Sequence, residues 1–344
     1  MRKATIAALG VALLFSACNT AERDVPETLT LITHDSFAAS VGDETFAAFT
    51  EESGIEVEVI AAGDAGALVN QAILTKDNPL ADVLFGVDDT FLSRALDEEI
   101  FETYESSHVG SVPDEFDVDD HVTPIDYGDV CINYDKAWFE NATLAVPTTL
   151  DDLTGDGYIG QLTVEHPATS SPGLAFMLAT IDEFGEEGWL DFWAGLRDND
   201  VTVANDWDTA YYGDFTRYGG ASPMVVSYAS SPPADVIYAT EPLDEAPTGV
   251  IEAGCYRQVE YAGVLAGTEY SEAAGLLIDY LLSPGFQESV PLTWFVFPAN
   301  ETVALPQEFV DHTVIPTDPA RLDPDAIAEN RELWINQWIA VMEG

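Results

Sequence analysis

Two long extended runs, Ile125 to Tyr134 and Cys255 to Val264, limit what this chain can fold into more than any other feature. They are set between blocks in which strand-like and helix-like segments alternate. In the first block Leu29 to Thr33 is β-rich and Glu56 to Ile60 alternates apolar with polar. Between them, Asp43 to Glu52 carries Phe46, Ala47 and Phe49 at helical spacing. Gly66 to Thr75 then repeats the helical pattern with Leu68, Val69, Ala72 and Ile73, and Ala81 to Gly86 is an apolar strand. Alternation of this kind builds a parallel sheet with helices on both faces. We therefore read an α/β, two-lobed architecture in which the extended runs are two hinge crossovers. Lobe 1 comprises residues 28–126 and 260–344, and lobe 2 comprises residues 127–259 with the crossings. Two lobes joined twice leave a cleft between them, the usual place for a small ligand.

The second block fits the same scheme, with a strand in Tyr158 to Val164, a helix opening at Pro172-Gly173 and a strand over Pro223 to Tyr228. Ser271 is an expected N-cap for a helix ending at Leu282, before Ser283-Pro284-Gly285. Near the C-terminus Ile327, Trp334, Trp338 and Val341 share one helical face, a core-packing stripe.

Charge narrows the possible partners. Eleven Lys and Arg against 62 Asp and Glu give a formal net charge of -51, which excludes a protein that coats nucleic acid, because phosphates need clustered cations. With 47% hydrophobic residues the chain still has the material for large cores, so it is not an acidic disordered tail. Such a surface repels itself, and molar salt shortens the screening length to roughly 3 Å. We expect a salt-adapted protein whose thermal midpoint rises between low and molar NaCl; equal midpoints would contradict this.

Residues 1–17 have the form of a secretion signal, with Arg2 and Lys3 before an apolar run from Ile6 to Phe15 that is too short to span a bilayer. The following Leu14-Phe15-Ser16-Ala17-Cys18 resembles the bacterial lipobox, so Cys18 is expected to carry lipid, with residues 18–27 as a tether; ordinary signal cleavage near Ala17 is the alternative. Cys131 and Cys255 then remain. One on each crossing, they suggest a disulfide if the crossings run side by side, and two buried free thiols otherwise.

Catalytic signatures are missing from the sequence. The histidines at 34, 108, 121, 166 and 312 have no metal-ligand spacing, and neither a Gly-x-Ser-x-Gly elbow nor a phosphate-cradling Gly-x-x-x-x-Gly-Lys occurs. No cofactor is indicated, and the expected role is binding rather than catalysis. Aromatic and acidic residues instead mark element ends: Asp64 between a strand and a helix, Trp207, Tyr228 at the end of an apolar run, and Trp294. Ring faces with a carboxylate suit a flat organic cation, at about 0.5–2 kcal/mol per ring. Each has a plainer role as well, Asp64 as a helix cap and the three aromatics as packing. Thr169 to Leu174 gathers hydroxyls at a helix start, which serves either an anion or the cap itself.

In order along the chain, Thr33-His34-Asp35-Ser36-Phe37, Ala81 to Asp88, Asp126-Tyr127-Gly128, Thr169 to Leu174, Ser227-Tyr228 and Leu282 to Gln287 leading to Trp294 resemble the periplasmic thiamine-binding proteins. These are the substrate-binding components of thiamine ABC transporters. The resemblance implies a type II periplasmic binding protein fold that closes on its ligand like a hinged trap. It implies a pocket of Asp64, Ala65, Ser170, Trp207, Tyr228 and Trp294, with His34 standing where the family has tyrosine. A second stacking tyrosine is replaced near Pro233-Ala234. By resemblance Asp64 would meet the aminopyrimidine or the thiazolium, the rings would stack, and Ser170 would hold the hydroxyethyl end or a phosphate. The implied partners are thiamine or a thiamine phosphate and a permease with its ATPase. The chain would be a monomer, touching the membrane only through its lipid. The adjacent tyrosines Tyr211 and Tyr212 leave a ferric-ion binder of the same fold as the chief alternative. A polyamine binder, or a secreted hydrolase on other logic, is a lesser one.

Overall fold

A computed structural model describes residues 25–344; the expected signal, Cys18 and most of the tether lie outside the described residues. The strands are β1 (Thr28–Thr33), β2 (Glu56–Ala61), β3 (Val83–Asp88), β4 (Thr123–Asp135), β5 (Leu162–Glu165), β6 (Thr202–Ala204), β7 (Met224–Tyr228), β8 (Thr248–Val264) and β9 (Phe297–Pro298). They form one mixed sheet in the order β2-β1-β3-β8-β4-β7-β5-β6, with β9 beside β4. On one side β1 pairs in parallel with β2 and β3, and on the other β5 pairs in parallel with β6 and β7. The long strands β4 and β8 run antiparallel between these parallel ends and belong to both, so the two expected crossings are two neighbouring strands.

The return crossing starts at Thr248, earlier than the apolar run beginning at Cys255 indicates. Gly249, Glu252 and Gly254 hide its first residues, and Gly254 takes a left-handed φ of 72° where the pairing with β4 loses register. Cys131 and Cys255 meet at this irregularity, Cα atoms 4.3 Å apart, as a disulfide.

Helices α1 (Asp35–Ser40), α2 (Ala47–Ser53), α3 (Ala65–Leu74) and α4 (Leu92–Asp97) serve the first end of the sheet. Helices α5 (Lys136–Ala142), α6 (Ser171–Asp198) and α7 (Pro232–Ile237) serve the second. After the return strand come α8 (Ser271–Leu282), α9 (Pro284–Gln287), α10 (Val290–Thr293), α11 (Gln307–His312) and α12 (Pro324–Met342). The α2 helix begins later than expected, after a turn closed by the Thr45 hydroxyl on the Gly42 N–H at 2.9 Å. Ser271 is the first residue of α8 and not its cap. Tyr270 holds the cap position without a side-chain bond, and Thr268 Oγ1 accepts the Tyr270 N–H at 3.1 Å. The long α6 is interrupted at Gly185, whose φ of 66° only glycine adopts cheaply.

Residues 260–344 were expected with lobe 1, yet α12 packs on α6 of the second end as well as on α4 of the first. Its stripe explains why: Ile327, Trp334 and Trp338 are buried, and the Trp338 ring meets Trp193 of α6 edge-on at 5.4 Å. Burial of such rings stabilises by roughly 1.5–3 kcal/mol each. A second apolar core, of Leu29, Leu31, Phe37, Phe85, Leu277, Leu281 and Phe286, fixes β1, β3 and α8 around the first end.

Candidate functional site: a carboxylate-lined cleft

The strand ends set the site. Where β2 gives way to α3, Asp64 is extended at φ -81° and ψ 170°, and its Oδ1 accepts the Ala65 N–H at 2.8 Å. It is thus a cap, as the plainer reading has it, but its Oδ2 is buried with no partner. Burial pushes the Asp64 carboxyl up to about 6, against the opposing pull of the Ala65 N–H, the His34 charge, the Ser170 hydroxyl and the Trp207 backbone N–H. Residues from both ends of the sheet therefore face this one carboxyl.

That convergence needs the two ends close together. The Gly66 N–H donates to Thr169 O at 3.1 Å, and a Cβ on Gly66 would lie 2.6 Å from Ala168 O. Gly66→Ala should hold the cleft open, read as a larger radius of gyration in X-ray scattering than for the unsubstituted protein. An identical scattering curve would show that this contact does not govern closure.

Behind Asp64 lies a row of acids that sequence reading did not single out. In the sheet, Asp88 of β3 stands opposite Glu260 of β8, which stands opposite Asp126 of β4. Like charges in direct cross-strand register repel. Burial first, and Glu260 next for Asp126, hold the Asp88 and Asp126 carboxyls above the usual range, Asp126 well above. Asp88 is partly satisfied by the Thr90 N–H at 2.8 Å and by the hydroxyls of Thr90 and Ser171. Ser171 opens α6, so this bond too crosses the cleft. His34 Nε2 lies 3.6 Å from Glu260 Oε2, while its Nδ1 accepts the Phe37 N–H at 3.3 Å. Burial pulls the His34 pKa down, but Glu260, Asp64 and Asp88 outweigh it and hold the imidazole above its ordinary value.

Aromatic rings complete the wall. Trp294 Nε1 donates to Asp126 Oδ2 at 3.4 Å, and its ring meets Phe37 edge-on at 5.1 Å. Tyr228 donates to Gln258 Oε1 at 2.7 Å and lies over Gly128, where a Cβ would come within 2.7 Å of its ring. Burial and then Glu260, Asp64, Asp88 and Asp126 push the Tyr228 hydroxyl well above its usual pKa, which places it amid the acids. Trp207 Nε1 donates to Ser227 Oγ at 3.0 Å, and one face of the indole stacks on Tyr211 at 4.8 Å. Ala65 is buried and contributes its N–H. The structure thus gathers His34, Asp64, Ser170, Trp207 and Tyr228 directly and ties in Trp294 through Asp126. Asp88, Asp126 and Glu260 could have been noticed as acids inside otherwise apolar strands.

Tyr211 and Tyr212 do not form a chelating pair. Their rings are perpendicular at 5.3 Å, Tyr211 is packed against Trp207, Phe215 and Tyr218, and Tyr212 is exposed. A groove of about 830 Å³ between α2 and α8–α10 touches the site only through Trp294. Among the described residues no lysine or arginine bonds to Asp64, Glu165 or Ser170. Arg217, Arg257 and Arg331 are engaged by Asp235, Asp129 and Glu332. This excess of acids beside the half-buried rings of Trp207, Tyr228 and Trp294 is suited to a flat cation.

Comparison with known proteins agrees with the fold. Residues 78–330 match the model of the bacterial extracellular solute-binding proteins. The thiamine-binding periplasmic protein of Brucella suis biovar 1 (strain 1330) is 31% identical over 319 residues, covering 91% of this chain and 92% of that protein. Among solved structures, a periplasmic thiamin binding protein superposes with a TM-score of 0.81 at 26% identity, over 92% of this chain and 96% of that one. Iron-bound HitA from Pseudomonas aeruginosa has a TM-score of 0.74 at 20% identity over 92% and 99%, a likeness of fold alone. On these matches and this architecture, the chain belongs to the family of bacterial extracellular solute-binding proteins.

Proposed function

We propose that this chain captures thiamine in the cleft and delivers it to the permease of an ABC transporter, whose ATPase, not this chain, hydrolyses ATP. The observation that carries the reading is the acidic row Asp88, Glu260 and Asp126 beside Asp64, flanked by Tyr228, Trp207 and Trp294, with His34 Nε2 3.6 Å from Glu260. A quaternary thiazolium would bring a fixed positive charge to the acid-rich wall, and its planar rings suit aromatic side chains. Names of relatives support the same ligand. His34 in place of a stacking tyrosine forfeits one ring face, about 0.5–2 kcal/mol, yet its bond to Phe37 keeps the loop before α1 in place.

Cys18 would anchor the chain by lipid outside the cytoplasm, and the monomer would present both lobes to the permease. Among the described residues no helix is long and apolar enough to cross a membrane.

Tryptophan fluorescence and calorimetry with thiamine, Fe(III) and spermidine test the ligand. Thiamine should saturate one site and quench the indoles, and Trp207→Ala should weaken it by about 2- to 30-fold without unfolding the protein. Heat with Fe(III) alone, together with a phenolate-to-iron absorption band, would overturn the reading in favour of a metal carrier.

A further inference from the structure

We propose that Tyr238 and Phe295 form a latch across the mouth of the cleft, holding the lobes closed and so setting how long a captured ligand stays. The proposal goes beyond the thiamine reading, and its first test needs no ligand.

Each half of the latch is anchored in its own lobe. Tyr238 ends α7, whose buried Asp235 accepts bonds from Arg217 Nε at 3.2 Å, Tyr218 Oη at 3.2 Å and Thr248 Oγ1 at 2.6 Å, all of the second lobe. Opposite, Phe295 follows Trp294, whose ring packs on Phe37 and Phe286 of the first lobe at 5.1 and 5.6 Å.

Tyr238 makes two contacts between the halves. Its hydroxyl donates to Leu292 O at 3.2 Å, and its ring meets Phe295 edge-on with centroids 5.6 Å apart. Tyr238 remains 67% exposed, so the contact lies on a rim and not in a core. Burial, then Asp208, Asp235 and Tyr238, raise the pKa of the Tyr212 hydroxyl. Burial, then Asp206 and Asp35, raise that of Asp208 against the pull of His34. Tyr238 is therefore continuous with the second-lobe rim that faces Asp35 and His34.

The backbone explains how such a contact can act as a latch. Phe295 has a φ of 58°, in the left-handed region that bulky residues rarely enter. A conformation of this kind persists only where its surroundings over-determine it, and it gathers at clamps and switches. Here Trp294 is held on one side by the first-lobe rings and by Asp126, to which its Nε1 donates at 3.4 Å, while Tyr238 holds the next ring on the other. Parting the lobes removes the second hold and lets the turn that carries Trp294 relax. Opening then loosens a wall of the site in the same movement.

X-ray scattering on the unliganded protein is the first test. Tyr238→Ala should give a larger radius of gyration than the unsubstituted protein, and Tyr238→Phe, which keeps the ring, should stay closer to it. Because Tyr238 is exposed, its truncation should leave the denaturant midpoint in place, whereas loss of a residue that only packs would lower it. Phe295→Gly removes the ring and tolerates the positive φ, so it should open the cleft without loss of stability. With thiamine, stopped-flow tryptophan fluorescence should show release about 2- to 10-fold faster in Tyr238→Ala, with the association rate nearly unchanged. Scattering curves of Tyr238→Ala and Phe295→Gly identical to that of the unsubstituted protein would overturn the latch. Failure of thiamine to bind any of these proteins would overturn the ligand reading, and the scattering result would still decide the latch.

Discussion

Asp64→Asn should weaken thiamine binding by roughly 30- to 1,000-fold, because losing one partner of a buried charge pair costs about 2–4 kcal/mol. Asparagine keeps an acceptor for the Ala65 N–H, so the start of α3 survives and the loss reports charge rather than folding. The same carboxyl gives the pH dependence its sign. Asp64 titrates at about 6 in the folded protein, raised first by burial. Its bound cation needs the ionised form, so affinity should fall as pH drops through 6. The unliganded protein should respond in the opposite direction. A raised acid stabilises the fold at low pH, and that contribution is lost as pH rises from the unfolded value near 3.8 through about 6. His34, also raised, contributes in the same sense, and its stabilisation is lost as pH rises through its folded pKa. Calorimetry from pH 5 to 8 on both proteins would reveal this, and an affinity in Asp64→Asn matching the unsubstituted protein would detach Asp64 from the ligand.

Reducing the Cys131–Cys255 bond should lower stability by about 2–5 kcal/mol, the usual cost for a native disulfide that closes a long loop. Here the loop spans 124 residues and comprises most of the second lobe, while the bond lies buried between the two crossing strands. The check is a denaturant midpoint with and without reductant, and in Cys131→Ser with Cys255→Ser. Midpoints that coincide would mean that β4 and β8 are held by their ladder and core alone.

Much of the architecture was legible in the sequence because period-2 and period-3.6 patterns are local. The crossings, the α3 and α6 starts and the C-terminal stripe could each be read within a few turns of chain. The site was legible only in part. Asp64, Tyr228 and Trp294 stand out at element ends, but the row Asp88, Glu260 and Asp126 exists only through strand register between segments far apart in sequence. The partnerless burial of Glu165 likewise depends on α6 closing over β5, which no local pattern encodes. Tyr211 and Tyr212 show the reverse: an adjacent pair that suggests metal binding folds into an aromatic packing cluster.

The most direct test is a crystal structure grown with thiamine in excess. Density for the vitamin should lie in the cleft, its charged ring beside Asp64 and the carboxylate row and its faces against Tyr228 and the two indoles. Density for a metal ion on Tyr211 and Tyr212, with no organic ligand beside Asp64, would contradict the account.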